Sequence, residues 1–176
     1  MKYPHDIAKE SKELFFKTFD ELYEHSPWVI EKAYEKIKSD PKYNNLNEFH
    51  SLLANTVLNE NITLQMSLIK AHPMLAGKKA KDNELTDFSA KEQKSAGLNS
   101  CSDEEIKLFD NLNKIYFDKF NFPYILAVKG RNKDEILKNF KNRIMNNFEI
   151  EKKEALEQIN QIALIRIKTI YNEKIN

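Results

Sequence analysis

Ile62-Thr63-Leu64-Gln65-Met66-Ser67-Leu68-Ile69-Lys70-Ala71-His72-Pro73-Met74-Leu75-Ala76-Gly77-Lys78 is the stretch on which the reading of this chain turns. Ile62, Met66, Ile69 and Pro73 follow one another at spacings of four, three and four, and Leu64 and Leu68 widen the stripe. That period predicts a helix with one apolar face. The chain then breaks. Pro73 disfavours helical backbone at His72, and Gly77 permits backbone angles that other residues resist. An imidazole, whose ordinary pKa lies nearest physiological pH, therefore stands where a buried helix hands over to a polar loop. The same pattern suits a capping or packed histidine, so this stretch alone leaves catalysis and packing both open.

Helices are expected on either side. Three glycines and five prolines punctuate 176 residues, too few breakers for anything but long elements. Leu14, Phe15, Phe19 and Leu22 make a first stripe. Ser26 reads as an N-cap and Pro27 as the first helical position of a helix carrying Trp28, Ala33, Tyr34 and Ile37. Ser39-Asp40-Pro41 stops it. Asn47 is a candidate cap for the next helix, with Phe49, Leu52, Leu53, Thr56 and Val57 inward. Residues 78–87 read as a polar loop. Ser89 and Glu92 have capping-box spacing, with Gly97 as the helix's C-terminal glycine. If that helix start faces His72, the same residues become a site: its amides suit an anion, and Glu92 could orient and charge-stabilise an imidazole.

Ser102 opens a further helix with Ile106, Phe109, Leu112, Ile115 or Tyr116, and Phe120 inward. Tyr124-Ile125-Leu126-Ala127-Val128-Lys129-Gly130 is apolar and too short for a helix between its breakers, so it is read as extended and buried. With no sheet to join, its backbone groups need other partners, a polar ligand or a neighbouring loop. Two helices close the chain, from about Lys133 to Asn146 and from about Glu149 to Tyr171. Arg166, four residues after Ile162, calls for an anion, supplied by a protein carboxylate or by a ligand. The fold class is all-α: one compact domain over residues 1–176, of about seven to nine helices, with one short extended buried segment.

Composition narrows the function. Hydrophobic residues make up 41% and charged residues 31%, and the net charge is +1. No global field draws this chain to nucleic acid or to an acidic membrane. Met1 to Glu10 lacks a signal-peptide core, no apolar run approaches a membrane span, and Asn172 to Asn176 carries no lipidation or peroxisomal motif. The one cysteine, Cys101, rules out an internal disulfide and suits a reducing compartment. A cytoplasmic location is expected. His5-Asp6 resembles a metal-hydrolase dipeptide, but it has no partner ligands and stands near a terminus expected to be mobile. No metal site is expected, because such a site needs several convergent ligands. His25 and His50 read as structural or surface residues.

Taken in order, these pieces resemble the 2-oxo-4-hydroxy-4-carboxy-5-ureidoimidazoline (OHCU) decarboxylase family of urate catabolism. The resemblance runs through Glu24-His25-Ser26-Pro27-Trp28, Ala71-His72-Pro73, Leu75-Ala76-Gly77-Lys78, Ser89, Glu92-Gln93 and Ala96-Gly97-Leu98. It continues through Asn113, Tyr116, Lys119-Phe120, Phe122-Pro123, Ala127-Val128-Lys129-Gly130, Ala155-Leu156, Gln158-Ile159, Ile162-Ala163 and Arg166. It implies an all-helical homodimer that uses no metal or organic cofactor and acts on a small anionic ureidoimidazoline, with no nucleic-acid or membrane partner. It implies His72 as catalytic acid/base with Glu92 as its partner. Pro73, Ser89, Gln93, Tyr124, Ile125, Leu126, Ala127, Val128 and Arg166 would contact the substrate. The chain departs from the family in three places. Phe120-Asn121-Phe122-Pro123-Tyr124 stands where members usually have Phe-Gly-Phe-Pro-Phe, and Met74 replaces a residue that is often polar. Asn121 can still adopt a left-handed backbone, and Tyr124 brings a hydroxyl that could alter substrate preference. Two competing readings are a relative acting on another ureido or imidazoline acid, and a non-catalytic helical interaction module.

Overall fold

The computed structural model describes residues 2–76 and 86–172, and everything below concerns those residues. Gly77, Lys78 and most of the expected polar loop lie outside them. Nine α-helices and no strand are found among the described residues, as the all-α expectation requires. They are α1 (Pro4–Glu10), α2 (Lys12–Phe19), α3 (Trp28–Ser39), α4 (Leu46–Leu58), α5 (Ile62–Ala71), α6 (Asp87–Ser95), α7 (Asp103–Phe120), α8 (Lys133–Arg143) and α9 (Phe148–Ile170). The chain divides into two compact units, Met1–Leu68 with Asn160–Asn176, and Ile69–Ile159. No helix among the described residues is long and apolar enough to cross a membrane.

In the first unit α1 packs on α2 and α3, and α3 on α4. The core is aromatic: Phe15 meets Phe19 and Tyr34 edge-on, and Phe19 lies against Phe49. Leu14 is 44% exposed and turns away from this stripe. Val29 and Ile30, unremarked in the sequence, are fully buried. Asn45, not Asn47, caps α4, its side chain accepting from the amides of Asn47 and Glu48. The cap must precede the first helical residue so that its carboxamide can turn back on the next amides. Pro27 has helical angles, but α3 is assigned from Trp28, the usual one-residue ambiguity at a helix end. His5 is not at a mobile end. It sits buried in α1, and its Nδ1 donates to the Ile37 carbonyl at 3.0 Å.

His50, on α4 of this unit, is half-buried. Burial lowers its pKa, against the opposing effect of the Nε2 hydrogen bond to the Asn160 carbonyl at 2.8 Å. An imidazole whose pKa is lower folded than unfolded stays neutral in the fold while the unfolded chain takes up a proton, so stability falls as pH drops through the unfolded value, about 6.5. Wild-type melting temperature is expected to fall between pH 7.5 and 5.5, and His50→Gln to flatten that dependence. Thermal melts of both proteins at the two pH values check this, and equal slopes would reject it.

In the second unit Tyr116 is the hub of an aromatic cluster that includes Phe120, Phe122, Tyr124 and Phe140. Tyr116 is buried and Ile115 is 43% exposed, which settles the choice left open between them. Asn121 ends α7 at φ 58°, ψ 31°, so the left-handed turn survives without glycine. Residues 123–128 carry no regular structure and Tyr124–Val128 are all buried, as expected of the extended segment.

Candidate active site

His72 lies one residue past α5, and its amide donates to the Ile69 carbonyl at 3.3 Å. That bond tightens the last turn just where Pro73 prevents its continuation. Leu68, Ile69 and His72 are buried, whereas Ile62, the first residue of the expected stripe, is 51% exposed. The apolar face that anchors His72 is thus the last turn of α5.

The turn after His72 is held by two side chains. Gln93 Oε1 accepts from the Ala76 amide at 3.0 Å, and Asn113 Nδ2 donates to the Leu75 carbonyl at 2.9 Å. Both side chains are buried. Ala76 has φ +52°, a left-handed conformation that a β-carbon disfavours, and the Gln93 bond helps to hold it there. The segment carrying His72 is therefore tied to α6, which carries Glu92 next to Gln93. Among the described residues Asn113 Oδ1 meets no hydrogen-bond donor.

The capping-box reading of Ser89 and Glu92 is corrected. Helix α6 begins at Asp87, and Thr86 is its cap, its side chain accepting from the Ser89 amide. Ser89 is buried in the first turn. Glu92 stands half-buried in the middle of the helix, beyond reach of a capping role. Starting the helix at Asp87 places nearly a turn ahead of Ser89 and so satisfies amides that a start at Ser89 would leave without a partner. Gly97 takes φ +73° just past the helix, as expected of a C-terminal glycine.

The extended segment finds its backbone partners in side chains. Arg143 Nη1 donates to the Ile125 carbonyl at 2.5 Å, the Ala127 amide donates to Gln158 Oε1 at 3.0 Å, and Arg131 Nε donates to the Ala127 carbonyl at 3.1 Å. Tyr124 stacks on Phe140 with ring centroids 3.7 Å apart, and its hydroxyl donates to Asn139 Oδ1 at 2.6 Å. The hydroxyl that sets this chain apart from Phe is thus taken up by α8. Burial pushes the Tyr124 phenol above its ordinary pKa. Arg143 also pairs with Glu151, which accepts from the Tyr116 hydroxyl and from Asn146 Nδ2. Burial is the largest single effect and opposes the guanidinium's charge; the Glu151 hydrogen bond and charge, with the Tyr116 and Tyr124 phenols, together outweigh it and raise the pKa.

Arg166 belongs to the first unit. It is 1% exposed, and its Nη1 donates to Glu24 Oε2 and to the Glu21 carbonyl, both at 3.0 Å. The anion that the sequence called for is Glu24. Arg143, Glu151, Arg131 and Asn139 were not singled out from the sequence. For two of them a signal existed. Arg143 follows Ile136 and Phe140 at spacings of seven and three, and Glu151 precedes Ala155 by four, so both lie on inward faces.

The OHCU decarboxylase family model matches residues 8–168. An OHCU decarboxylase of Haloferax volcanii is 35% identical over 153 residues, 87% of this chain and 86% of that protein. A uric acid degradation bifunctional protein of Bacillus sp. (strain TB-90) is 36% identical over 152 residues, and this chain spans 86% of its own length but only 29% of that protein's. In fold, the chain is similar to a crystal structure described as OHCU decarboxylase in the presence of (S)-allantoin, with TM-score 0.69, 20% identity and coverage of 89% of this chain and 99% of that one. With a family match along nearly its whole length and the family's expected helices in place, this chain belongs to the OHCU decarboxylase family.

Proposed function

We propose that this chain decarboxylates OHCU to (S)-allantoin in urate degradation, with His72 as acid/base. The observation that carries the reading is the family match over residues 8–168. The chemistry suits the residues. When the bond to the carboxylate carbon breaks, its electron pair passes into the adjacent ring C=N system and the nitrogen takes a proton. Carbon dioxide leaves. The resulting enol loses its hydroxyl proton as a proton reaches the ureido-bearing carbon on one face. The protein's tasks are to hold a polar anionic heterocycle and to move protons. His72 assists loss of the hydroxyl proton or delivers the proton to carbon, and Glu92 sets its orientation and charge. Pro73, Ser89, Gln93 and the segment Tyr124–Val128 contact the substrate. By the same carry-over, Arg166 takes its negative charge. Glu24 and the Glu21 carbonyl hold Nη1 of that guanidinium, so the substrate would share the cation with Glu24.

The test is optical. Freshly generated OHCU should yield (S)-allantoin faster with the protein than without it, followed by circular dichroism. A rate equal to the spontaneous one would sink the proposal. A cytoplasmic homodimer completes the reading, supported by the single cysteine and by the family. Light scattering at micromolar concentration should give about twice the chain's mass, and a monomer mass would reject the dimer.

A further inference from the structure

We infer that Arg143 and Gln158 are positioning residues for substrate recognition, each holding one backbone group of the Tyr124–Val128 segment. The inference rests on the reading above, in which that segment contacts the substrate. An extended stretch without a sheet has no ladder to fix the direction of its peptide groups. Here two helices supply that function. From the end of α8, Arg143 sets the Ile125 carbonyl at 2.5 Å, and its guanidinium carbon lies 4.8 Å from the Tyr124 ring centroid. From α9, Gln158 takes the Ala127 amide at 3.0 Å.

Each holding side chain is itself oriented. Glu151, fully buried, accepts from Arg143 Nε at 2.7 Å, from Asn146 Nδ2 at 2.7 Å and from the Tyr116 hydroxyl. It fixes the guanidinium so that Nη1 meets Ile125. Glu154 Oε1 accepts from Gln158 Nε2 at 2.9 Å, which leaves Gln158 Oε1 facing the Ala127 amide. A buried ion pair is an expensive way to gain stability, since apolar residues of similar volume often do as well. A lysine could not hold Glu151 and a peptide carbonyl at once in this planar arrangement. The arrangement fits a device that sets peptide groups two residues apart.

The experiment compares wild type, Arg143→Lys and Gln158→Met with freshly generated OHCU, reading KM, kcat per folded molecule, inhibition by (S)-allantoin and thermal melts. Misplacing a contact by about 1 Å can cost up to roughly 10²-fold. The variants are expected to raise KM about tenfold and weaken (S)-allantoin inhibition in parallel, with kcat per folded molecule nearly unchanged. A loss confined to melting temperature and to the amount of active enzyme, with KM and inhibition as in wild type, overturns the inference and makes both residues structural. If Arg143→Lys does not fold, Gln158→Met decides. If neither folds, the hold is structural and the inference falls. Wild type inactive on OHCU defeats the proposed function itself, whereas active wild type with unmoved KM in the variants defeats only this inference.

Discussion

His72→Asn is expected to keep the fold and lose roughly 10²-fold or more in turnover of OHCU, the usual scale for a missing acid/base. Asn is close to His in size and polarity but carries no titratable proton. The surroundings of residue 72 argue that the fold tolerates the change. Its backbone is set by the Ile69 carbonyl, and the following turn by Gln93 and Asn113. Glu92→Gln is the companion variant. Because Thr86 caps α6, the Gln variant changes charge without touching the helix start, and its loss of activity would report on the carboxylate alone. Initial rates by circular dichroism, with thermal melts run in parallel, check both. If Glu92→Gln keeps full activity, the catalytic pair is wrong. If His72→Asn also stays well above the spontaneous rate, the site assignment fails.

The helices were legible because their apolar residues recur at helical spacing and few glycines or prolines interrupt them. The extended segment was legible for the converse reason: Tyr124–Val128 is too short for a helix and too apolar for the surface. The caps of α4 and α6 were not legible: the pattern pointed to Asn47 and Ser89, and Asn45 and Thr86 take the role. Asn45 and Asn47 stand two residues apart and Thr86 and Ser89 three, and the choice depends on where the preceding chain arrives. The partners of buried charges were harder still. The need of Arg166 for an anion could be read from its place on the inward face of α9, but Glu24 lies 142 positions away. The Arg143–Glu151 pair, across the turn from α8 to α9, required two inward faces to be aligned by tertiary packing. The residues proposed as catalytic were reached by family resemblance, because a histidine before a proline has no chemistry written in its spacing.

Glu24→Ala is expected to be among the most destabilising single changes in the first unit. Glu24 and Arg166 are each 1% exposed in their side chains, and their ion pair is 3.0 Å long. Removing the carboxylate leaves a guanidinium buried away from water with its nearest counter-charge gone. Breaking one side of a buried pair typically costs about 3–5 kcal/mol. For a chain of this size that is roughly 10 °C in melting temperature. The double variant Glu24→Leu with Arg166→Met removes both charges and fills similar volume. It should recover much of the lost stability, because the penalty lies in the orphaned charge and not in the absence of the pair. It should not recover activity if Arg166 carries the substrate's negative charge. Urea unfolding and OHCU turnover, measured on the two variants and wild type, separate these effects. A loss below about 1 kcal/mol in Glu24→Ala, the range of exposed ion pairs, would mean that water or another carboxylate reaches Arg166 in the fold. A double variant that turned over OHCU like wild type would remove Arg166 from the substrate's contacts and leave it the single task of pairing with Glu24.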